Sequence, residues 1–122
     1  MEAVRNFAKK SSVVYFSTNK VYGDNPNKLK FTEKRLRFDF KEKKYHQGIN
    51  ENFNVDNCTH SLFGVSKLSA DLIVQEYGRY FNIKTCCLRG GCLTGPNQSG
   101  VELHGFLNYL IKCNIKKKLY TV

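Results

Sequence analysis

The 122-residue sequence lacks an apolar run long enough to cross a bilayer, and its N-terminal MEAVRNFAKK lacks the apolar stretch of a secretory signal peptide. We therefore expect a cytoplasmic protein without a membrane partner. The hydrophobic content, 41%, is ordinary for a globular chain. A chain of this length buries a modest core, so we expect a single domain over residues 1–122.

The cysteines lack the spacing of a metal site, since they form no CxxC pair and no histidine lies at zinc-ligand distance from them. Two of them are adjacent in a predicted strand and therefore point to opposite faces. We expect no metal and reduced, mostly buried thiols. The five are Cys58, Cys86, Cys87, Cys92 and Cys113.

Acidic residues are few, and the net charge is +10. Much of the excess lies in residues 28–44 and 116–118. Nucleic-acid binding is one interpretation. The sequence has no zinc finger and no RRM aromatic signature, however, and its basic residues are mixed with Glu33, Asp39 and Glu42. We therefore expect no nucleic-acid partner; a solvated surface, which can also attract a small anion, is favoured.

Regular structure is predicted at both sides of a long loop. SVVYFS at 12–17 is typical of a buried parallel strand, and the preceding NFAKK resembles the end of a helix. Residues 24–57 show no periodicity and are predicted as a long loop, either a functional lid or disordered, with a short helix considered near KRLRFDFKEKK.

After the loop, a helix capped by Thr59 or Ser61 is predicted to end near Phe81 and Asn82. Its apolar side is predicted to comprise Val65, Leu68, Ser69, Leu72, Ile73 and Tyr80. A strand, IKTCCLRG, follows at 83–90, and the final KKKLYTV resembles the start of another. Between them, a second helix is predicted from the spacing of Leu103, Phe106, Leu107, Leu110 and Ile111.

Strands that alternate with helices predict an α/β fold with a parallel sheet. Ligands of such sheets bind beyond the carboxyl ends of the strands. Three segments are predicted to share that edge: STNKVYG at 17–23, the helix start at Ser61, and RGGCLTGP at 89–96. The glycines of RGGCLTGP fit neither GxGxxG nor GxxxxGK[ST], so they favour a tight turn near a ligand over a phosphate-binding loop.

Several segments occur together in the order of a known family. They are STNKVYG at 17–23, GINENFNVD at 48–56, FGVSK at 63–67, LRGGCLTGP at 88–96 and SGVELHGF at 99–106. The chain resembles the extended short-chain dehydrogenase/reductases that epimerise nucleotide sugars, and within them it looks most like the CDP-tyvelose (CDP-paratose) 2-epimerases. The resemblance implies NAD as cofactor and a CDP-hexose as substrate.

The resemblance also implies residue roles. In the family, a hydroxyl residue, a tyrosine and a lysine surround the nicotinamide, and the tyrosine removes a sugar hydroxyl proton while hydride passes to NAD. By motif position, the catalytic residues here are Thr18, Lys67 and, at the tyrosine's place, Phe63. Lys67, Gly90 and Gly91 would contact the cofactor, and Asn19 and Cys92 the substrate. Asn19-Lys20 replaces the Asp-Glu pair of the dehydratase branch, which favours epimerisation.

Two features depart from the family. The sequence has no GxxGxxG βαβ unit, so the resemblance implies a partial Rossmann-like (doubly wound) sheet, the C-terminal half of an NAD-binding domain. Phe63 can neither ionise nor donate a hydrogen bond, and loss of a general acid–base lowers rates by roughly 10²–10⁴. We expect a truncated, catalytically impaired epimerase homologue. The alternative is a non-catalytic half-domain that pairs with a separate N-terminal half or with itself.

Overall fold

The computed structural model describes residues 1–121. Its helices and strands follow in the order α1 (Glu2–Phe7), β1 (Val13–Thr18), β2 (Phe31–Glu33), β3 (Phe38–Phe40), α2 (Ser61–Phe81), β4 (Thr85–Gly90) and α3 (Phe106–Ile115). Short 3-10 helices occupy Asn19–Tyr22, Asn25–Lys28 and Lys43–Tyr45. The chain divides into two compact units, residues 1–89 and the residues from 90 onward. The expectation of one domain stays a prediction.

Strands β1 and β4 pair in parallel, which confirms the predicted α/β class and the partial Rossmann-like sheet. The Val13 N–H donates to the Lys84 carbonyl at 2.8 Å where the pairing begins. Burial alternates along β1, as the period of a strand requires: Tyr15 is half-buried, whereas Val14 and Phe16 are 53% and 64% exposed. One face of this two-stranded sheet is therefore covered and the other is exposed.

Helix α2 packs against β1 and the 3-10 helix Asn19–Tyr22. The predicted apolar side is wrong as a packing face, since Val65, Leu72, Ile73 and Tyr80 are each at least 47% exposed. The buried residues of α2 are instead Gly64, Asp71 and Val74, which recur at helical spacing. Glycine permits close approach of the helix to its neighbours, and the buried carboxylate has an arginine partner in β4.

The predicted C-terminal end of α2 is confirmed, whereas the predicted N-cap is wrong, because that position is held by His60 without a side-chain capping hydrogen bond. Asn82 follows the last helical residue with φ 52° and ψ 42°, the left-handed conformation that asparagine tolerates. Of the two residues predicted to cap the start, Ser61 accepts a hydrogen bond from the Gly64 N–H at 3.2 Å, whereas the Thr59 N–H donates to Asp24 Oδ1 at 3.1 Å.

The segment 24–57 contains an antiparallel hairpin. Phe31 pairs with Phe40, and Glu33 with Phe38. The short helix considered near KRLRFDFKEKK is present only as the 3-10 turn Lys43–Tyr45, because FDF forms β3. Aromatic rings connect the hairpin to the core, with centroid distances of 5.8 Å for Phe40–Tyr45, 5.8 Å for Tyr45–Phe53 and 6.0 Å for Tyr22–Phe53.

The core of the first unit is small and comprises Val21, Tyr22, Val74 and Ile83. All five cysteines are free, but the expectation that most are buried is wrong. Only Cys113 is buried, because β4 turns Cys86 to the exposed face of the sheet and Cys92 follows the strand in an exposed loop. Burial, followed by the nearby Asp71 carboxylate, raises the pKa of the Cys87 thiol.

The second unit consists of a loop and α3. The Asn108 amide donates to the carbonyls of Gly95 and Gln98 at 3.1 and 2.9 Å and so fixes the loop against the helix. Residues 116–121 form no strand, which corrects the prediction for KKKLYTV, because no described strand pairs with them. Across residues 1–121, no helix combines the length and the apolar character needed to cross a bilayer.

Candidate active site

Thr18 ends β1 and starts the 3-10 helix that follows. Its hydroxyl oxygen accepts a hydrogen bond from the Lys20 N–H and donates to Asn19 Oδ1, both at 3.3 Å. The hydroxyl thus acts as an N-cap. Because it lies at the carboxyl end of a parallel strand, it is also at the sheet edge where ligands of this fold class bind.

Lys67 reaches the same strand from α2. Its Nζ donates to the carbonyl oxygen of Phe16, two residues before Thr18, at 3.3 Å. The ammonium also lies 5.3 Å from the Tyr15 ring centroid and 6.0 Å from that of Phe63, distances at which a cation is attracted to an aromatic face. Phe63 is 56% exposed. The structure therefore brings Lys67 to the strand that ends in Thr18 and to the Phe63 ring.

The start of α2 lies directly over the residues that follow Thr18. A Cβ on Gly64 would stand 3.0 Å from the Lys20 carbonyl oxygen, so only glycine lets the helix approach this closely. His60 Nε2 lies 3.0 Å from the Val21 carbonyl oxygen, an acceptor, and this nitrogen therefore carries the proton. These contacts set the distance between the start of α2 and the residues that follow β1, and they thereby help to position Lys67.

A cleft of about 470 Å³ opens beside Asn19. Sequence reasoning found Asn19 but missed most of the other residues that line it. Seven of these residues belong to the segments STNKVYG, GINENFNVD and LRGG, which was their only signal: Lys20, Tyr22, Gly23, Ile49, Glu51, Leu88 and Arg89. The other three, Pro26, Asn27 and Cys87, lie outside these segments.

Arg89 organises the wall of this cleft. Its Nη1 donates to the Tyr22 hydroxyl at 3.1 Å and to the Glu51 carbonyl at 3.0 Å, and its Nε and Nη2 donate to Asp71. One guanidinium thus connects β4 to α2, to the 3-10 helix and to the segment 24–57. The hydrogen bonds that Arg89 donates to Asp71, against the opposing effect of burial, hold the Arg89 pKa well above its usual value, so the group stays charged.

Gly90, Gly91 and Cys92 belong to the second unit. Gly91 and Cys92 are exposed, and Gly90 is half-buried with Leu93 packed against its Cα side, where a Cβ would stand 3.3 Å from Leu93 Cδ2. Their predicted contacts with cofactor and substrate stay predictions.

The described residues do not fit the pyrophosphate of NAD. In dinucleotide-binding folds, that group lies on a glycine turn that joins a strand directly to a helix N-terminus. β1 runs into a 3-10 helix capped by Thr18, and its first glycine, Gly23, comes only after that helix. β4 is separated from α3 by residues 91–105. Residues 1–121 therefore supply no such turn, and we assign no hydride step to this chain.

Sequence comparison decides the family. The profile of the NAD dependent epimerase/dehydratase family matches residues 1–122. The chain belongs to this family. It is 30% identical over 118 residues to the CDP-paratose 2-epimerase of Salmonella typhi, an alignment that covers 97% of the chain and 33% of that relative. This epimerase/dehydratase family member thus spans about a third of the curated relative's length.

Proposed function

We propose that this chain forms the part of a nucleotide-sugar epimerase that carries the hydroxyl and the lysine of the active site, with a CDP-hexose as substrate. The observation that supports it most is the hydrogen bond from Lys67 to the Phe16 carbonyl, because it joins the lysine we propose as catalytic to the strand that ends in Thr18. Thr18, Lys67 and the Phe63 ring then stand for the three catalytic positions, and Asn19 lines the adjoining cleft for the sugar.

We further propose that residues 1–122 alone are catalytically impaired. Phe63 offers no ionisable oxygen, and residues 1–121 offer no strand-to-helix glycine turn for the cofactor's pyrophosphate. Loss of the acid–base alone lowers a rate by roughly 10²–10⁴. Restoring it with Phe63→Tyr is therefore necessary for turnover, but insufficient while NAD is not held.

The test combines binding and turnover. The chain and its Phe63→Tyr variant are incubated with NAD and CDP-paratose; bound NAD is measured by equilibrium dialysis and CDP-tyvelose by NMR. We expect neither bound NAD nor product. Stoichiometric NAD binding with interconversion of the two CDP-sugars by the unmodified chain would disprove the impairment.

Complementation tests the site itself. A polypeptide with the GxxGxxG βαβ unit of a family member is added to both forms. Once NAD is bound, we expect turnover with Phe63→Tyr and a rate lower by roughly 10²–10⁴ with Phe63. Lys67→Met in the Phe63→Tyr background should abolish the gain, whereas Lys43→Met, an exposed lysine in the hairpin segment, should not. If the tyrosine variant binds NAD but shows no lysine-dependent turnover, the proposed site is wrong.

A second candidate function is that of a non-catalytic half-domain that associates with a partner or with itself. The exposed face of the β1–β4 sheet favours it, because Val14, Phe16 and Leu88 are 53%, 64% and 45% exposed in these two strands. Apolar patches of this kind mark interaction surfaces. Size-exclusion chromatography with light scattering tests it, and a well-folded monomer whose Phe16→Ser variant is no more soluble would count against it.

A further inference from the structure

The β2–β3 hairpin separates cationic side chains from aromatic ones. Its register pairs Phe31 with Phe40 and Glu33 with Phe38, so these side chains share one face. Phe31 and Phe40 are in contact with ring centroids 5.0 Å apart, and Phe40 continues to Tyr45. Phe40 thus connects this aromatic face to the rest of the first unit, while Phe31 and Phe38 are 47% and 68% exposed.

The opposite face carries the cations. Lys41 N–H donates to the Lys30 carbonyl at 2.9 Å, and Lys34 N–H donates to the Arg37 carbonyl at 2.8 Å, so these residues form two cross-strand pairs. Each of these residues lies two positions along the chain from Thr32 or Asp39, so its side chain points to the same face as theirs. That face is opposite to the aromatic one. We name this surface, formed by Lys30, Lys34, Arg37 and Lys41, the basic face.

One acidic residue, Asp39, lies on the basic face, where it forms an ion pair with Arg37 at 2.7 Å. Glu42 pairs with Lys44 at 3.1 Å, and Glu33 lies on the aromatic face. Within residues 1–121, no carboxylate lies at ion-pair distance from Lys30, Lys34 or Lys41. The acids that are mixed with the bases in the sequence therefore neutralise Arg37 but leave these three lysines without an ion-pair partner.

The basic face costs stability in the absence of an anion, because like charges directly opposite on paired strands repel. All four cationic residues are exposed. A small anion would bind with little free energy, since an isolated ion pair in water is weak. A polyanion contacts several cations at once and releases its condensed counterions, so its binding free energy becomes more favourable with each contact.

We propose that the basic face binds the phosphate backbone of duplex nucleic acid without sequence preference. The aromatic rings favour backbone contact over base stacking, because they lie on the face opposite to the cations, whereas single-strand sites place aromatics beside them. A two-stranded ribbon is also an element that the major groove admits. This inference is independent of the epimerase proposal and departs from the expectation of no nucleic-acid partner.

The test measures fluorescence anisotropy of a labelled duplex of about 20 base pairs as salt is varied. We expect a Kd on the order of 10⁻⁵ M near 50 mM salt, weakening with a log–log slope of about −3. Two duplexes of unrelated sequence should bind equally. The double variant Lys30→Glu/Lys34→Glu should weaken binding at least about tenfold and reduce the slope by about 2.

This variant isolates charge from folding. Each new glutamate stands opposite a remaining cation, Lys41 or Arg37, so the hairpin becomes more stable. The matched control is Lys9→Glu/Lys10→Glu, two exposed lysines that precede β1, with the same change in net charge. Equal weakening by both variants, absence of duplex binding at 50 mM salt, or binding only to vesicles that contain phosphatidylserine would each overturn the proposal.

Discussion

Arg89 donates two parallel hydrogen bonds to the Asp71 carboxylate, from Nε to Oδ2 and from Nη2 to Oδ1, each at 3.0 Å. The side chain of Asp71 is fully buried, and that of Arg89 is 13% exposed. This bidentate pair joins α2 to β4, and it does so in the interior of a unit whose apolar core is small. The position of Lys67, one turn before Asp71 in α2, therefore depends on it.

Removing either partner should destabilise the fold strongly. Asp71→Asn leaves a buried guanidinium without its anion, and Arg89→Met leaves a buried carboxylate without its cation. Breaking a buried pair in this way costs about 3–5 kcal/mol. Urea denaturation monitored by circular dichroism should show that loss as a lower free energy of unfolding, or as a chain that does not fold.

The double variant Asp71→Leu/Arg89→Met distinguishes a pairing effect from a packing effect. Because both charges are removed together, it should recover most of the loss of either single variant. If the double variant is as unstable as the sum of the two singles, the ion pair is not what holds α2 to β4.

The same pair predicts a pH dependence. Burial alone would raise the pKa of Asp71, but hydrogen bonds from Arg89, with Gln75 also contributing, outweigh burial and lower it. A carboxyl with a lower pKa in the folded state stabilises the fold above its unfolded pKa of about 3.9, and this stabilisation is lost as the pH falls through the folded value. The free energy of unfolding should therefore be flat near neutrality and decline below about pH 4.

Acid titration of the unfolding free energy measures this dependence. The decline below about pH 4 should be shallower in Asp71→Asn, provided that this variant folds, and unchanged in Glu33→Gln, an exposed carboxylate of the hairpin. A wild-type curve that falls instead between pH 5 and 7 would assign acid sensitivity to groups other than Asp71.

The sequence predicts elements whose signal is local. The β-branched run of β1, the asparagine that ends α2 and the strand TCCLRG are visible without tertiary information. The packing face of α2 is not, because it is built from Gly64 and Asp71, whereas the apolar residues that a pattern counts are exposed. Likewise, motif position nominates Thr18 and Lys67, but only the packing of α2 on β1 explains why the lysine reaches the Phe16 carbonyl.

The hairpin was missed for a related reason. Phe31, Glu33, Phe38 and Phe40 alternate with residues on the opposite face, but lysines and arginines occupy that face and the run resembles a solvated loop. Arg89 was missed as an organising residue because its partners lie 18, 38 and 67 positions away in the chain. Distant pairings of this kind leave no periodic signal.

Two glycines with positive φ give a matched test of packing. Gly23 has φ 55°, and a Cβ there would stand 2.7 Å from Cys58 Sγ and 2.8 Å from the Thr59 carbonyl oxygen. Gly48 has φ 103° with no heavy atom within 4 Å of its Cβ position. Both alanine variants bear backbone strain of about 1–2 kcal/mol. Gly23→Ala should lose more stability than Gly48→Ala, because it also displaces Cys58 and Thr59.

Thermal unfolding of the two variants measures this difference. A lower Tm for Gly23→Ala than for Gly48→Ala is expected, and Gly23→Ala/Cys58→Ala should recover part of it by removing the nearer obstacle. Equal Tm values would mean that Cys58 and Thr59 can move away from a methyl group at residue 23 without lowering the stability of the fold.

Phe63→Tyr tests whether Lys67 can act on a phenol at this position, without any need for turnover. Phe63 is 56% exposed, so a hydroxyl on its ring should change the free energy of unfolding by less than about 0.5 kcal/mol. The Lys67 ammonium lies 6.0 Å from the ring centroid, and a nearby cation favours the phenolate. The new tyrosine should therefore have a pKa below the ordinary value of about 10. Carbon-13 NMR of labelled tyrosine measures it, and Lys67→Met in the same variant should return the pKa to the ordinary value. An unshifted tyrosine with Lys67 present would show that the lysine's contacts with Phe16 and Tyr15 keep it from serving a phenol at residue 63.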